Sequence, residues 1–220
     1  MTDIQQANPF LTIRARFFDE DRMYQRLMRY AVEENHPETR KALAYMKERH
    51  QGQFRKTGKL RTEAIPYINH PLLMACQAHA LGVRDDALLA SILLHDVVED
   101  TGVTSQELPF PEEIRELVSL VSFDKNTSLD RHTAKAEYYA RIAQNPKACI
   151  IKIIDRCNNV STMAGVFPRE KLISYVEETE EFVIPLTEVL KDMPEYTDMT
   201  FVIKYQIISL VEAVKCLLND

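Results

Sequence analysis

A chain of 220 residues with a formal net charge of −6 can bury a large core without disulfide or metal staples. Its 27% charged and 45% hydrophobic residues exclude a disordered or fibrous chain, and the acidic balance argues against non-specific binding to nucleic acid. Five glycines, with long helix-period segments between them, favour an all-α fold over a sandwich or a doubly wound sheet. Cys76, Cys149, Cys157 and Cys216 form no CxxC pair and read as buried thiols of a reducing compartment. No stretch approaches the ~20 apolar residues of a membrane span. No apolar run follows a basic start, so the expectation is a cytoplasmic protein without a secretory signal.

In chain order, residues from about 10 to 34 place Phe17, Tyr24, Leu27, Met28 and Ala31 near helical spacing. Residues 1–36 are expected to form a helical extension packed on a core of 37–220. Pro37 opens the next helix, which runs to about His50. Gln51 to Pro66 has charges, two glycines and little periodicity, and reads as a loop. A helix begins near Pro71 and ends at Gly82. Asp85 caps a helix with Leu88, Leu89, Ile92 and Leu93 on its core face and His95, Asp96, Glu99 and Asp100 in its last turns, ending at Gly102. Pro111-Glu112-Glu113 starts a helix through about Val121, and another spans about Leu129 to Gln144. Ala148 to Ala164 is too long for the short buried strand its apolar run would also suit, so helix is favoured. Helices over about 169–191 and 198–218 complete the chain.

Most of these segments are plain core. Leu93-Leu94-His95-Asp96-Val97-Val98-Glu99-Asp100-Thr101 is not, because four ionisable side chains follow a strongly apolar helix half. Unpaired buried charge is costly, and a divalent cation is one economical partner. On a helix His95 and Glu99 share a face, as do Asp96 and Asp100. An adjacent His-Asp pair is a weak signal alone. Two features strengthen it: His70 in Tyr67-Ile68-Asn69-His70-Pro71, at a helix start, and Asp155, an acid interrupting the apolar run Ile153-Ile154. The competing reading of Asp155 is a structural salt bridge with Lys152 or Arg156, although adjacent helix residues do not face each other.

The stretches HQGQFRKTG (50–58), PYINHP (66–71), LLHDVVEDT (93–101) and IIKIIDRCNNVSTM (151–163) resemble, in order, the hydrolase domain of the Rel/SpoT alarmone enzymes and the single-domain small alarmone hydrolases. That family belongs to the HD-domain phosphohydrolases. The resemblance implies an all-α HD-domain helical bundle with a single metal site, in which His70, His95, Asp96 and Asp155 hold one Mn²⁺, with Fe²⁺ or another divalent metal as alternatives. It implies removal of the 3′-pyrophosphate of (p)ppGpp, giving GDP or GTP. Such an ion lowers the pKa of a water and polarises a phosphoryl oxygen. Glu99 and Asp100 match the family's catalytic acidic pair, with Glu99 orienting or deprotonating the nucleophile and Asp100 assisting.

A polyanionic substrate calls for basic contacts, and Lys47, Arg49, Arg55, Lys56, Lys59 and Arg61 crowd one stretch. By resemblance Arg55, Lys56, Thr57, Lys125, Asn159, Thr162 and Tyr175 bind substrate, and Tyr175 suits core packing as well. His50 reads as structural. The expected partner is a small-molecule nucleotide, with no nucleic acid and no membrane; a homo-oligomer stays open.

Two departures from the family pattern stand out. Lys59 to Ala64 lengthens the loop before Pro66, and Asn158 replaces a common histidine or tyrosine. The sequence ends soon after the hydrolase region, so the expectation is a hydrolase that makes no alarmone. Hydrolysis of (p)ppApp or of the NADPH 2′-phosphate, and a non-catalytic nucleotide-sensing HD module, are the rival readings.

Overall fold

The computed structural model describes residues 19–56 and 64–219. The first helix, α1 (Glu20–Glu33), is capped by Asp19, whose side chain accepts from the Arg22 N–H at 2.8 Å, and buries Met23, Leu27 and Ala31 at four-residue spacing. The earlier part of the expected N-terminal helix, with Phe17, lies outside the described residues. Helix α2 (Pro37–Arg49) starts on proline. Asp86 closes its N-terminus from another helix, accepting from the backbone of Glu38 at 3.0 Å and of Thr39 at 2.8 Å.

Two helices form the centre. One is α4 (Asp86–Leu94), capped by Asp85 through the Leu88 N–H at 2.8 Å, with every residue from Leu88 to Leu94 buried. An LLASILL segment has no polar face, so only an interior position satisfies it. The other is α8 (Pro146–Met163), capped by Asn145 and buried along most of its length. It is a helix, as its length predicted. Around this pair pack α1, α2, α3 (Asn69–Ala80), α6 (Glu112–Val121), α7 (Arg131–Ile142), α9 (Arg169–Glu178), the short α10 (Leu186–Val189) and α11 (Thr197–Asn219). Among the described residues there is no strand, and the all-α expectation holds.

Three details differ from expectation. The helix from Asp85 does not run through to Thr101. It ends at Leu94, and a separate turn, α5 (Val97–Thr101), follows and stops at Gly102, whose φ of 71° suits a residue without Cβ. The His95 ring takes the Ile92 carbonyl, which the Asp96 N–H would use in an unbroken helix. The expected 169–191 helix is interrupted by a π turn at Thr179–Val183. Pro185 has no N–H to donate, and the Thr179 hydroxyl bonds back to the Tyr175 carbonyl at 2.6 Å. The two ends of the 51–66 stretch pair antiparallel, with Arg55 N–H donating to the Ile65 carbonyl at 2.8 Å and Tyr67 N–H to that of Gln53 at 2.9 Å. Cys149 and Cys157 are buried free thiols as expected, but Cys216 is exposed. No helix among the described residues is long and apolar enough to cross a membrane.

Candidate active site

The first turn of α3, the α4–α5 break and the middle of α8 meet at one point. His70, the second residue of α3, is 2% exposed, and its Nδ1 lies 2.6 Å from Asn158 Oδ1. His95 is equally buried, with Nδ1 2.8 Å from the Ile92 carbonyl. A carbonyl only accepts, so Nδ1 of His95 holds a proton and, in the neutral ring, Nε2 carries the lone pair. Asn158 Oδ1 imposes the same tautomer on His70.

Both Nε2 atoms face carboxylates. His70 Nε2 is 3.2 Å from Asp155 Oδ1 and 3.7 Å from Asp96 Oδ2; His95 Nε2 is 2.9 Å from Asp96 Oδ2 and 4.0 Å from Asp155 Oδ1. The ligand atoms of His70, His95 and Asp155 lie within 4.8 Å of one another, and Asp96 joins them through the two contacts just given. His95 Nε2 is buried without a hydrogen-bond partner, although Asp96 Oδ2 stands 2.9 Å away. Lone pairs converging on a shared point, with one left orphaned, fit a cation. Two imidazoles and two carboxylates are a donor set suited to Mn²⁺, Fe²⁺ or a similar ion.

The carboxylates set the electrostatics of the cluster. Burial opposes a charged imidazolium at both histidines. At His70 burial prevails and its pKa falls; at His95, Asp96 and Asp155 outweigh it and raise the pKa to about 9, so that without an ion this ring takes up a proton and the two carboxylates draw positive charge to the cluster. Burial likewise opposes charge on Asp155, but Lys152 and the histidines keep its carboxyl well below the usual range.

Each carboxylate is held by neighbouring donors. The Tyr67 hydroxyl donates to Asp96 Oδ2. Burial, then Asp96 and Asp100, raise that phenol far above its ordinary value, so it stays a donor. Tyr67 stacks on His50 with centroids 4.6 Å apart, which gives His50 the structural place expected of it. Asp155 receives Lys152 Nζ on Oδ2 at 2.9 Å and Asn159 Nδ2 on Oδ1 at 2.6 Å. The Lys152 salt bridge set against the metal reading thus exists beside the cluster, at three-residue spacing. Arg156 points elsewhere.

The cluster forms the inner wall of a cleft of ≈ 620 Å³. His70, Asp96, Asp155, Glu99, Asp100, Arg55, Lys56, Lys125, Asn159, Thr162 and Tyr175 all line it, with His95 behind the wall. Thr57 lies outside the described residues, as do Lys59 and Arg61. The basic run divides: Lys47 and Arg49 lie over Tyr24 and Tyr45 on α2, while Arg55 and Lys56 reach the cleft. Arg55 Nη2 donates to Asn159 Oδ1 at 3.2 Å. Neither Arg55 nor Lys56 has a carboxylate in ion-pair reach among the described residues.

Glu99 Oε1 accepts from the Phe123 N–H at 2.9 Å, and Oε2 lies 3.3 Å from Lys125 Nζ. Asp100 N–H donates to the Asp96 carbonyl at 3.0 Å, so the expected i, i+4 relation survives the helix break. Tyr175 both lines the cleft and packs: the Arg156 guanidinium lies 3.8 Å from its ring centroid and Phe167 meets it edge-on.

Sequence reasoning did not assign Tyr67, Lys152 or Asn158 to the site. Each stands three residues from His70 or Asp155, and that helical spacing was the available signal. It also missed a second polar cluster at the cleft floor. There Arg156 donates to Glu178 Oε1 at 2.6 Å, the Tyr139 hydroxyl at 2.9 Å, Thr179 Oγ1 at 3.1 Å and the Tyr175 carbonyl at 3.3 Å, and Lys135 also pairs with Glu178.

Residues 67–160, a span holding all four candidate ligands, match the family model of the HD domain. An HD domain implies a divalent metal. Among its relatives, the chain is 35% identical over 159 residues to the guanosine-3′,5′-bis(diphosphate) 3′-pyrophosphohydrolase of Aquifex aeolicus, covering 70% of this chain and 21% of that protein. It is 32% identical over 173 residues to the bifunctional (p)ppGpp synthase/hydrolase SpoT of Escherichia coli, covering 76% of this chain and 24% of that protein. The chain therefore spans between a fifth and a quarter of the length of these curated relatives. A solved structure, described as a metazoan ortholog of SpoT that hydrolyzes ppGpp, matches with a TM-score of 0.64 over 80% of this chain and 95% of its own; at 20% identity the match shows the fold.

Proposed function

We propose that the chain is a Mn²⁺-dependent cytoplasmic hydrolase that removes the 3′-pyrophosphate of (p)ppGpp, leaving GDP or GTP. The observation that carries this reading is the convergence of His70, His95, Asp96 and Asp155, with an orphaned His95 Nε2, on the inner wall of a cleft where Arg55 and Lys56 have no carboxylate partner among the described residues. The names of the relatives support the same chemistry.

His70, His95, Asp96 and Asp155 would hold the ion, which supplies a water of lowered pKa and a Lewis acid for a phosphoryl oxygen. Glu99, pinned by the Phe123 N–H and Lys125, is preorganised to orient the attacking water or accept its proton. Asp100 assists from the cleft mouth. Arg55 offers a fork to phosphate and Lys56 a point charge. Asn159 bridges Arg55 and Asp155, so substrate contact and metal ligand share one side chain. Lys125, Thr162 and Tyr175 complete the wall against which the nucleotide rests, and Thr57 follows Lys56 in the same motif.

The test is turnover of ppGpp, ppApp and NADPH with added Mn²⁺, reading products by chromatography. Wild type is expected to convert ppGpp to GDP and pyrophosphate. Glu99→Ala should lose about 10²–10⁴-fold in kcat while keeping its metal, whereas Asp96→Ala should lose both. Turnover of none of the three nucleotides by wild type would sink the enzyme reading; preference for ppApp or NADPH would reassign the substrate.

A further inference from the structure

Lys152 stands beside the four converging atoms, and no role assigned above uses it. Its side chain is 13% exposed, and Nζ lies 2.9 Å from Asp155 Oδ2 and 5.6 Å from the Tyr138 ring centroid. The other oxygen, Oδ1, is the one that faces His70 at 3.2 Å and His95 at 4.0 Å. The holds on the other ligands are neutral: Asn158 on His70, the Ile92 carbonyl on His95 and Tyr67 on Asp96. Asp155 alone is held by a full positive charge.

A cation on the back of a ligand carboxylate acts on a metal in two opposite ways. It fixes the carboxylate's direction, which favours binding. It also repels the metal and draws off the carboxylate's charge, which disfavours binding. In a buried site the charge effect is the larger, because low dielectric strengthens it while the orientation gain amounts to one short side chain's rotamer freedom. Removing the cation would also leave a buried carboxylate uncompensated until a metal arrives. Finally, a freed Oδ2 is a second donor atom, since carboxylates bind hard cations through one oxygen or two.

We propose that Lys152 is a positioning residue that confines Asp155 to one ligand oxygen, lowering metal affinity so that a place stays open for water and substrate. This inference rests on the metal-dependent reading above.

The experiment starts from Mn²⁺-loaded wild type, Lys152→Gln and Lys152→Arg, and reads affinity by competition with a chelator, which does not require the metal-free form to fold. Steady-state turnover of ppGpp is measured on the same samples. Lys152→Gln should hold Mn²⁺ at least fivefold more tightly than wild type and turn over at least tenfold more slowly. Lys152→Arg, which keeps charge and donor, should stay within threefold of wild type in affinity and recover most of the turnover. A merely structural lysine would loosen the metal on removal, so equal or weaker Mn²⁺ binding by Lys152→Gln overturns the inference while leaving the metal reading intact. A wild type that takes up no Mn²⁺ overturns both.

Discussion

Two buried polar clusters share one cleft, and they are built on opposite principles. Around Arg156 every group finds its complement: guanidinium hydrogens meet a carboxylate, a phenol, a hydroxyl and a carbonyl, and Lys135 balances Glu178 further. Around His95 the groups do not complement one another. Two imidazole Nε2 atoms face two carboxylates, and His95 Nε2 has no hydrogen-bond partner. A satisfied network is complete as it stands and serves as scaffold; two carboxylates turned on two imidazoles draw in positive charge, a proton or a metal ion. That difference distinguishes the candidate site from its support.

Substitutions can break that distinction or sharpen it. The largest effect is expected from Asp96→Ala, which should abolish Mn²⁺ uptake and turnover together, as read by bound metal per chain and by product release. Arg156→Met comes next and should act on stability. It leaves Glu178 buried with Lys135 as its remaining cation, a loss of about 3 kcal/mol. In a chain of this size that lowers Tm by roughly 6–12 °C. Its folded fraction should still bind one Mn²⁺; loss of metal there would merge the two clusters into one functional unit.

A smaller change is expected from Asn158→Ala, which frees the His70 ring behind the ligand face. Mn²⁺ affinity should fall about 10–100-fold by titration, with little change in Tm. The smallest is Asp85→Ala, a cap outside both clusters, costing about 1 kcal/mol at neutral pH. Burial opposes charge on Asp85, but Lys147 and the Leu88 N–H outweigh it and lower its pKa. A lowered folded-state pKa means the stabilisation is complete above the ordinary carboxylate range, near pH 4, and fades as pH falls through the folded value. Chemical denaturation of the pair at pH 7 and pH 3 should show the gap closing in acid.

Much of this was legible in the sequence, for a physical reason. The central helices announce themselves because LLASILL has no polar face and the run from Ala148 to Ile154 is apolar but for Lys152, and Asp85 and Pro37 mark their own helix starts. His95, Asp96 and Asp155 were visible as charge where only apolar residues belong. What escaped depends on contacts between distant segments. The break at His95 follows from a side chain taking a backbone carbonyl, and the π turn from Pro185 acting back on the preceding turn. Asn158 is 88 positions from His70, and Tyr67 is 29 from Asp96. Local periodicity does not report such pairs. Lys152 was weighed as a rival to the metal reading, whereas its salt bridge lies behind the same Asp155 whose other oxygen faces the histidines.

Four side chains from α3, the α4–α5 break and α8 are proposed to hold one divalent ion. Calorimetric titration of metal-stripped protein with Mn²⁺ tests it most directly. One ion per chain is expected in wild type and in Glu99→Ala, and none in Asp96→Ala or His70→Ala. Absence of binding in wild type, or binding that survives loss of Asp96 and His70, would contradict it.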